Sequence, residues 1–126
     1  MSKQQFLAEN LKYGEIYAGL ILSKDGQPDY HLILLAAKTE SLKWIAAQAW
    51  ATSVGGDLPS RNEQSLLFAN CKEEFEPRWY LSNEQHARGS GYAWMQDFDD
   101  GTQYFFRKLY ECRARAVRRI YIEELK

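Results

Sequence analysis

The sequence predicts an α+β fold whose elements run in the order hairpin, two helices, antiparallel sheet. Three observations carry this. Two runs rich in β-formers flank a turn signal near the N-terminus. Apolar residues at helical spacing follow, and the remainder is a series of short, ring-rich strands around Asp99-Asp100-Gly101.

Element by element, Phe6 to Leu11 reads as a weak amphipathic turn or short strand. Glu15 to Ser23 (EIYAGLILS) is a strand that ends at the turn signal Lys24-Asp25-Gly26-Gln27-Pro28, and Asp29 to Ala36 (DYHLILLA) returns. Leu42, Ile45, Ala46, Ala49 and Trp50 recur at helical spacing, with Thr39 or Ser41 available as the cap. Gly55-Gly56 stops that helix, because glycine accepts the left-handed conformation that ends helices. The second helix starts from a capping box: the Ser60 hydroxyl takes the backbone donor three residues on, and Glu63 reaches back to the cap. It runs past Leu66 and Leu67 to about Cys71. Trp79 to Ser82, Tyr92 to Phe98, Gln103 to Lys108 and Arg113 to Ile122 then read as strands. Asp and Gly tolerate the positive φ of tight loops, so Asp99-Asp100-Gly101 is a hairpin turn.

The 126 residues contain no linker, repeat or low-complexity segment, so residues 1–126 form one domain. A net charge of −1 argues against nucleic acid or an anionic membrane as partner. The longest apolar stretch, Leu32 to Ala37, is too short for membrane insertion. No signal-peptide pattern is visible, which predicts cytoplasmic synthesis and is compatible with a virion component assembled there. Cys71 and Cys112 lack metal-ligand spacing and are expected to be reduced, buried thiols rather than a disulfide. The unusual quantity is the aromatic content, 14%, from eight Tyr, six Phe and four Trp.

The run GEIYAGLILSKDGQPDYHLILL, the helix start LPSRNEQSLLFAN, then WYLSNEQ, YAWMQDFDDGTQ and RARAVRRI resemble the Lcl C-terminal-domain family, common in phages, prophages and bacterial surface proteins. The resemblance spans about Gly14 to Ile120. It implies a C-type-lectin-like fold, with two helices packed on a twisted antiparallel sheet and the N- and C-terminal strands side by side. Calcium-dependent sugar binding does not carry over. The Glu-Pro-Asn or Gln-Pro-Asp loop and the Trp-Asn-Asp strand are missing, and Glu76-Pro77-Arg78 lacks the amide ligand.

Strand alternation sorts the rings. Tyr92, Trp94, Gln96 and Phe98 share one face, with Ala93, Met95 and Asp97 on the other. On the return strand Tyr104 and Phe106 share a face, with Gln103, Phe105 and Arg107 opposite. Core packing accounts for part of this ring surface. The functional reading is an exposed patch of Tyr92, Trp94, Gln96, Asp99, Asp100 and Tyr104, with Arg88 at its edge. Rings beside amide and acid groups suit sugars or protein surfaces. The segment Asn83 to Gly91 is read as an exposed, mobile loop or a plain connector.

The basic residues Arg107, Lys108, Arg113, Arg115, Arg118 and Arg119 are either a solvated face paired with Glu111, Glu123 and nearby acids, or an anion site. Arg113, Arg115 and Arg119 would share one side, and Arg118 would break the apolar one. His31 reads as a structural histidine and His86 as a solvent-exposed one. No nucleophile elbow or metal-ligand spacing is present, so no catalytic residue, metal or cofactor is expected.

The expected function is a non-enzymatic binding module of phage or prophage origin. It would recognise a host surface glycan or protein, as a tail-associated or virion component. The alternative is an intracellular factor that binds a host cytosolic protein, such as an inhibitor of a defence or regulatory protein. The ring surplus is also compatible with a homo-oligomer.

Overall fold

The computed structural model describes residues 2–122. It is α+β: three helices, α1 (Lys3–Asn10), α2 (Trp44–Ser53) and α3 (Arg61–Cys71), and six strands in two antiparallel sheets. The strands are β1 (Ile16–Ile21), β2 (Tyr30–Leu34), β3 (Trp79–Gln85), β4 (Tyr92–Asp97), β5 (Gln103–Arg107) and β6 (Val117–Tyr121). One sheet has the order β1-β2-β6, the other β3-β4-β5. The expected single sheet is therefore two, and β1 and β6 are not paired with each other. The hairpin partner β2 lies between them, and the outer side of β6 is bonded at Val117 to Asp57 in both directions, at 2.8 and 2.9 Å.

Two apolar cores follow from this split. The first joins Ala47, Ala51 and Trp44 of α2 to Leu81, Ala93 and Met95 of the second sheet. The second joins Leu67 and Cys71 of α3 to Leu32 and Leu34 of the first sheet, and also takes Tyr80 and Phe98. Cys112 belongs to the first core and Cys71 to the second, and both are free thiols, as expected. Burial pushes each thiol up to about 11, which leaves both protonated and unreactive at neutral pH.

The capping box at Ser60 forms as expected: its hydroxyl accepts the Glu63 amide at 3.1 Å and Glu63 Oε1 accepts the Ser60 amide at 2.8 Å. Gly55, at φ +91°, follows α2. Two local readings fail. Of the segment Phe6 to Leu11, all but the extended C-cap Leu11 belongs to α1, nucleated by a second capping box between Ser2 and Gln5. Neither Thr39 nor Ser41 caps α2. Leu42 is instead paired with Cys112 through both backbone groups, and the Trp44 amide donates to the Lys108 carbonyl. A tertiary acceptor thus replaces the side-chain cap.

The sequence reading places a strand from Arg113 onward, whereas β6 starts only at Val117. Cys112 to Ala116 form a strap that bonds in turn to Leu42, Leu81 and Leu35. This irregular path disperses the arginines. Arg113 pairs with Glu76 at 2.8 Å and Arg118 makes a two-pronged pair with Glu15. Arg119 does the same with Glu63, and Arg115 is buried. The arginines are thus tied to separate partners instead of forming one solvated face, and of them Arg113 and Arg115 line a common cavity. Glu123, read above as one of its acidic partners, lies outside the described residues.

The Asp99-Asp100-Gly101 turn closes β4 onto β5. The Asp97 amide donates to Thr102 O and the Gly101 amide to Asp97 O, each at 2.8 Å. Gly101 has φ +84°, and a Cβ there would stand 3.0 Å from the Phe68 ring of α3. Gly101→Ala is expected to destabilise the domain by about 1–2 kcal/mol, the cost of a left-handed non-glycine residue, plus whatever Phe68 must yield. Chemical denaturation measures it.

Candidate ring-lined groove

The register of the β4–β5 ladder decides which rings can act together. Trp94 stands opposite Phe105, Met95 opposite Tyr104, and Ala93 opposite Phe106. Directly paired residues of an antiparallel ladder point to the same face. Tyr92, Trp94 and Phe105 therefore share one face, and Tyr104 and Phe106 share the other. The expected single patch is divided between the two sides of the hairpin.

On the Trp94 face the rings are occupied. The Arg61 guanidinium lies 3.5 Å from the Trp94 ring centroid, held by Arg61 Nε donating to Gln103 Oε1 at 3.0 Å. His86 packs 4.1 Å from Phe105 and 5.3 Å from Trp94, so it is not the solvent-exposed residue expected. Phe105 meets Tyr92 edge-on at 5.9 Å. Gln96 is only 1% exposed: its Nε2 donates to Gln64 O and its Oε1 accepts Gln103 Nε2, both at 2.8 Å. A buried amide bonded inside the protein at both ends is not presented to a ligand, so Gln96 leaves the candidate set. The connection before β4 is shorter and better tied than expected. Residues Asn83 to Gln85 belong to β3, the His86 amide donates to Tyr92 O, and Gly89 packs on the Tyr92 ring. Arg88 is exposed there, with its amide on His86 Nδ1, at the opposite end of the hairpin from Asp99 and Asp100.

The other face is open at its edge. Phe106 lies 4.9 Å from Trp79, 5.7 Å from Tyr110 and 5.8 Å from Tyr104, all between ring centroids. Tyr104 and Tyr110 are 53% and 61% exposed, and Leu109, next to Tyr110, 74%. Tyr104 also stacks on Phe105 at 4.7 Å, so the rings of both faces meet at β5, the outer strand of its sheet. Next to this cluster is a groove of about 420 Å³ walled by Trp79, Tyr110, Arg78, Asp97, Asp99 and Arg113. Its volume lies in the range of small-ligand sites.

The two turn acids differ in role. Asp100 Oδ1 accepts the Thr102 amide at 2.9 Å, and that bond holds its carboxyl below the usual range. It shapes the turn. Asp99 lines the groove; its carbonyl is held by Lys72 Nζ at 3.0 Å, and its amide rests on Asp97 Oδ1 at 2.9 Å. Of the expected site residues, Tyr104 and Asp99 lie at the open ring cluster and its groove. Trp94, Tyr92 and Arg88 are on or beyond the other face, and Gln96 is inside.

No family model matches the chain, and no curated protein matches it. The site is therefore read from its own chemistry. Trp79, Arg78, Asp97 and Tyr110 were missed as site residues. Leu109-Tyr110 directly beyond a strand end was the available signal, since two large apolar residues there have no ladder to pack on. His31 is hydrogen-bonded, as expected: Nδ1 meets the Tyr17 hydroxyl at 2.8 Å and its ring lies 4.1 Å from that of Phe6. Among the described residues, no three His, Cys, Asp or Glu side chains converge as a metal site, and no helix is long and apolar enough to cross a membrane.

Proposed function

We propose that this chain is a non-enzymatic binding module of phage or prophage origin, with a C-type-lectin-like fold of the Lcl C-terminal-domain type. Its ligand is a host surface glycan or protein, and it acts as a tail-associated or virion component. The observation that carries the reading is the groove beside Trp79 and Tyr110. Rings supply the flat apolar faces on which pyranose rings stack, and Asp97, Asp99 and Arg78 supply acceptors and donors for hydroxyls at the same wall.

A specific feature favours the second reading, an intracellular factor that binds a host cytosolic protein. Leu109 is exposed next to the exposed Tyr110, and exposed apolar surface with tyrosines marks protein interfaces. Binding of labelled protein to intact cells, against capture of one cytosolic protein from lysate, separates the two.

In either case the rings are the anchor. Tyr104→Ala with Tyr110→Ala is expected to weaken binding by about 2 kcal/mol or more. Both side chains are more than half exposed, so stability should stay within about 0.5 kcal/mol. Titration of wild type and variant against the captured ligand, with parallel denaturation curves, checks both numbers.

A further inference from the structure

A second cavity lies on the other side of the Arg113–Glu76 ion pair. It measures about 260 Å³, the share of roughly nine liquid waters at about 30 Å³ each, which suits a molecule of amino-acid size. Arg115 forms part of its wall and is 3% exposed. Its guanidinium carries five N–H donors. Two hydrogen bonds are made, Nη1 to Glu74 O at 2.6 Å and Nη2 to Leu35 O at 2.9 Å, while Nε has no acceptor. Among the described residues, no carboxylate pairs with it. A buried full charge that has two carbonyls and the Phe75 ring as its contacts, and no carboxylate within ion-pair distance, is costly, and proteins normally pair such a group.

The rest of the wall tells what the missing partner looks like. The Tyr80 hydroxyl accepts the Glu76 amide at 3.1 Å, and its own proton has no acceptor among the described residues. Lys38 also faces this space, and so do the acids Glu73 and Glu74 of the one-turn 3-10 helix (Lys72–Glu74) that follows α3. Lys38, Glu73 and Glu74 make no ion pair among the described residues. Donors thus come from the strap before β6, the loop after β2 and Tyr80, while the free acids come from the turn after α3.

We propose that this cavity binds a small zwitterion of the free α-amino acid class. Its carboxylate takes the second protons of Arg115 Nη1 and Nη2, which the carbonyls of Glu74 and Leu35 leave unused, and the Tyr80 hydroxyl, and its ammonium lies against Glu73 and Glu74. A phosphate dianion fits the wall less well, because the two unpaired glutamates repel it. The site is separate from the ring-lined groove, and its test does not depend on the ligand of that groove.

The arginine Nε–Hε signals of the full chain report it directly by ¹H–¹⁵N NMR. Arg115 is assigned by Arg115→Met or, if that variant does not fold, by its contact with the Phe75 ring, 5.4 Å from the guanidinium carbon. The probes are the individual proteinogenic amino acids, acetate, glycinamide and inorganic phosphate. The expected result is a saturable shift of the Arg115 signal with at least one amino acid, and none with glycinamide. Tyr80→Phe should weaken that affinity roughly tenfold, the usual effect of losing a hydrogen bond to a charged group. The variant Glu73→Gln with Glu74→Gln, in the one-turn helix, should remove the preference for amino acid over acetate. Acetate or phosphate binding as tightly as any amino acid would overturn the zwitterion, and an unmoved Arg115 signal with every probe would overturn the site.

Discussion

Glu63→Ala is expected to cost about 3–5 kcal/mol, the usual penalty for stripping one partner from a buried ion pair. The carboxylate is fully buried and serves three partners. Oε2 accepts the Tyr30 hydroxyl at 2.6 Å and Arg119 Nε at 2.6 Å, while Oε1 accepts Arg119 Nη2 and the Ser60 amide, each at 2.8 Å. Its loss leaves Arg119 with Asp57 alone, whose side chain is 60% exposed, and removes half of the α3 capping box. Replacing Glu63 and Arg119 together by methionine should cost less than either single change, because the only charge left unpaired is that of the exposed Asp57. Urea denaturation of the three variants gives the comparison.

The same group sets the acid limit of stability. Burial pushes the Glu63 carboxyl up, but the hydrogen bonds from Arg119, Tyr30 and the Ser60 amide outweigh it, and the net shift is down. Glu15 is also held down, first by its hydrogen bonds from Arg118. A carboxyl depressed in the folded state stabilises it above the unfolded value and loses that contribution as pH falls through the folded one. The fold should therefore weaken below about pH 4.5, near the ordinary glutamate value. Tyr30 moves oppositely: burial first, then its bond to Glu63, raises it, so its contribution is complete below about pH 10 and is lost above that.

Phe98→Ala carries the second large expected effect, about 3–5 kcal/mol. Its ring is 1% exposed, lies parallel to Phe75 at 3.9 Å and meets Tyr80 edge-on at 5.2 Å. It stands six residues from Tyr104, where the same truncation should change stability hardly at all. The contrast between the two, read from denaturation midpoints, sorts the aromatic ribbon into its two uses. Equal losses at both positions would mean that Tyr104 is core and the open cluster does not exist.

What the sequence made legible was local. The capping box at Ser60, the stop at Gly55 and the turn at Asp99-Asp100-Gly101 are set by a few neighbouring residues, and all formed. Alternation within β4 and within β5 was also correct. What alternation cannot supply is register across the turn, and register placed Tyr104 opposite Met95 instead of beside Trp94. Trp94 and Gln96 then left the open surface because of Arg61 and Gln64, residues of α3 far away in sequence. The α2 start and the strap before β6 failed for a related reason: their backbone groups are satisfied by distant partners, Lys108, Leu42 and Leu35, which no local pattern announces.

Three of the four tryptophans offer the sharpest test of where binding occurs, since each indole N–H gives its own NMR signal. Trp44 Nε1 is tied to Ser82 O at 2.8 Å inside the first core, Trp94 is covered by Arg61, and Trp79 borders the open groove. On addition of the ligand recovered from cells or lysate, the Trp79 signal should move while those of Trp44 and Trp94 stay in place. A shift of Trp94 with Trp79 unmoved would put the contact on the opposite face of the hairpin and contradict the account.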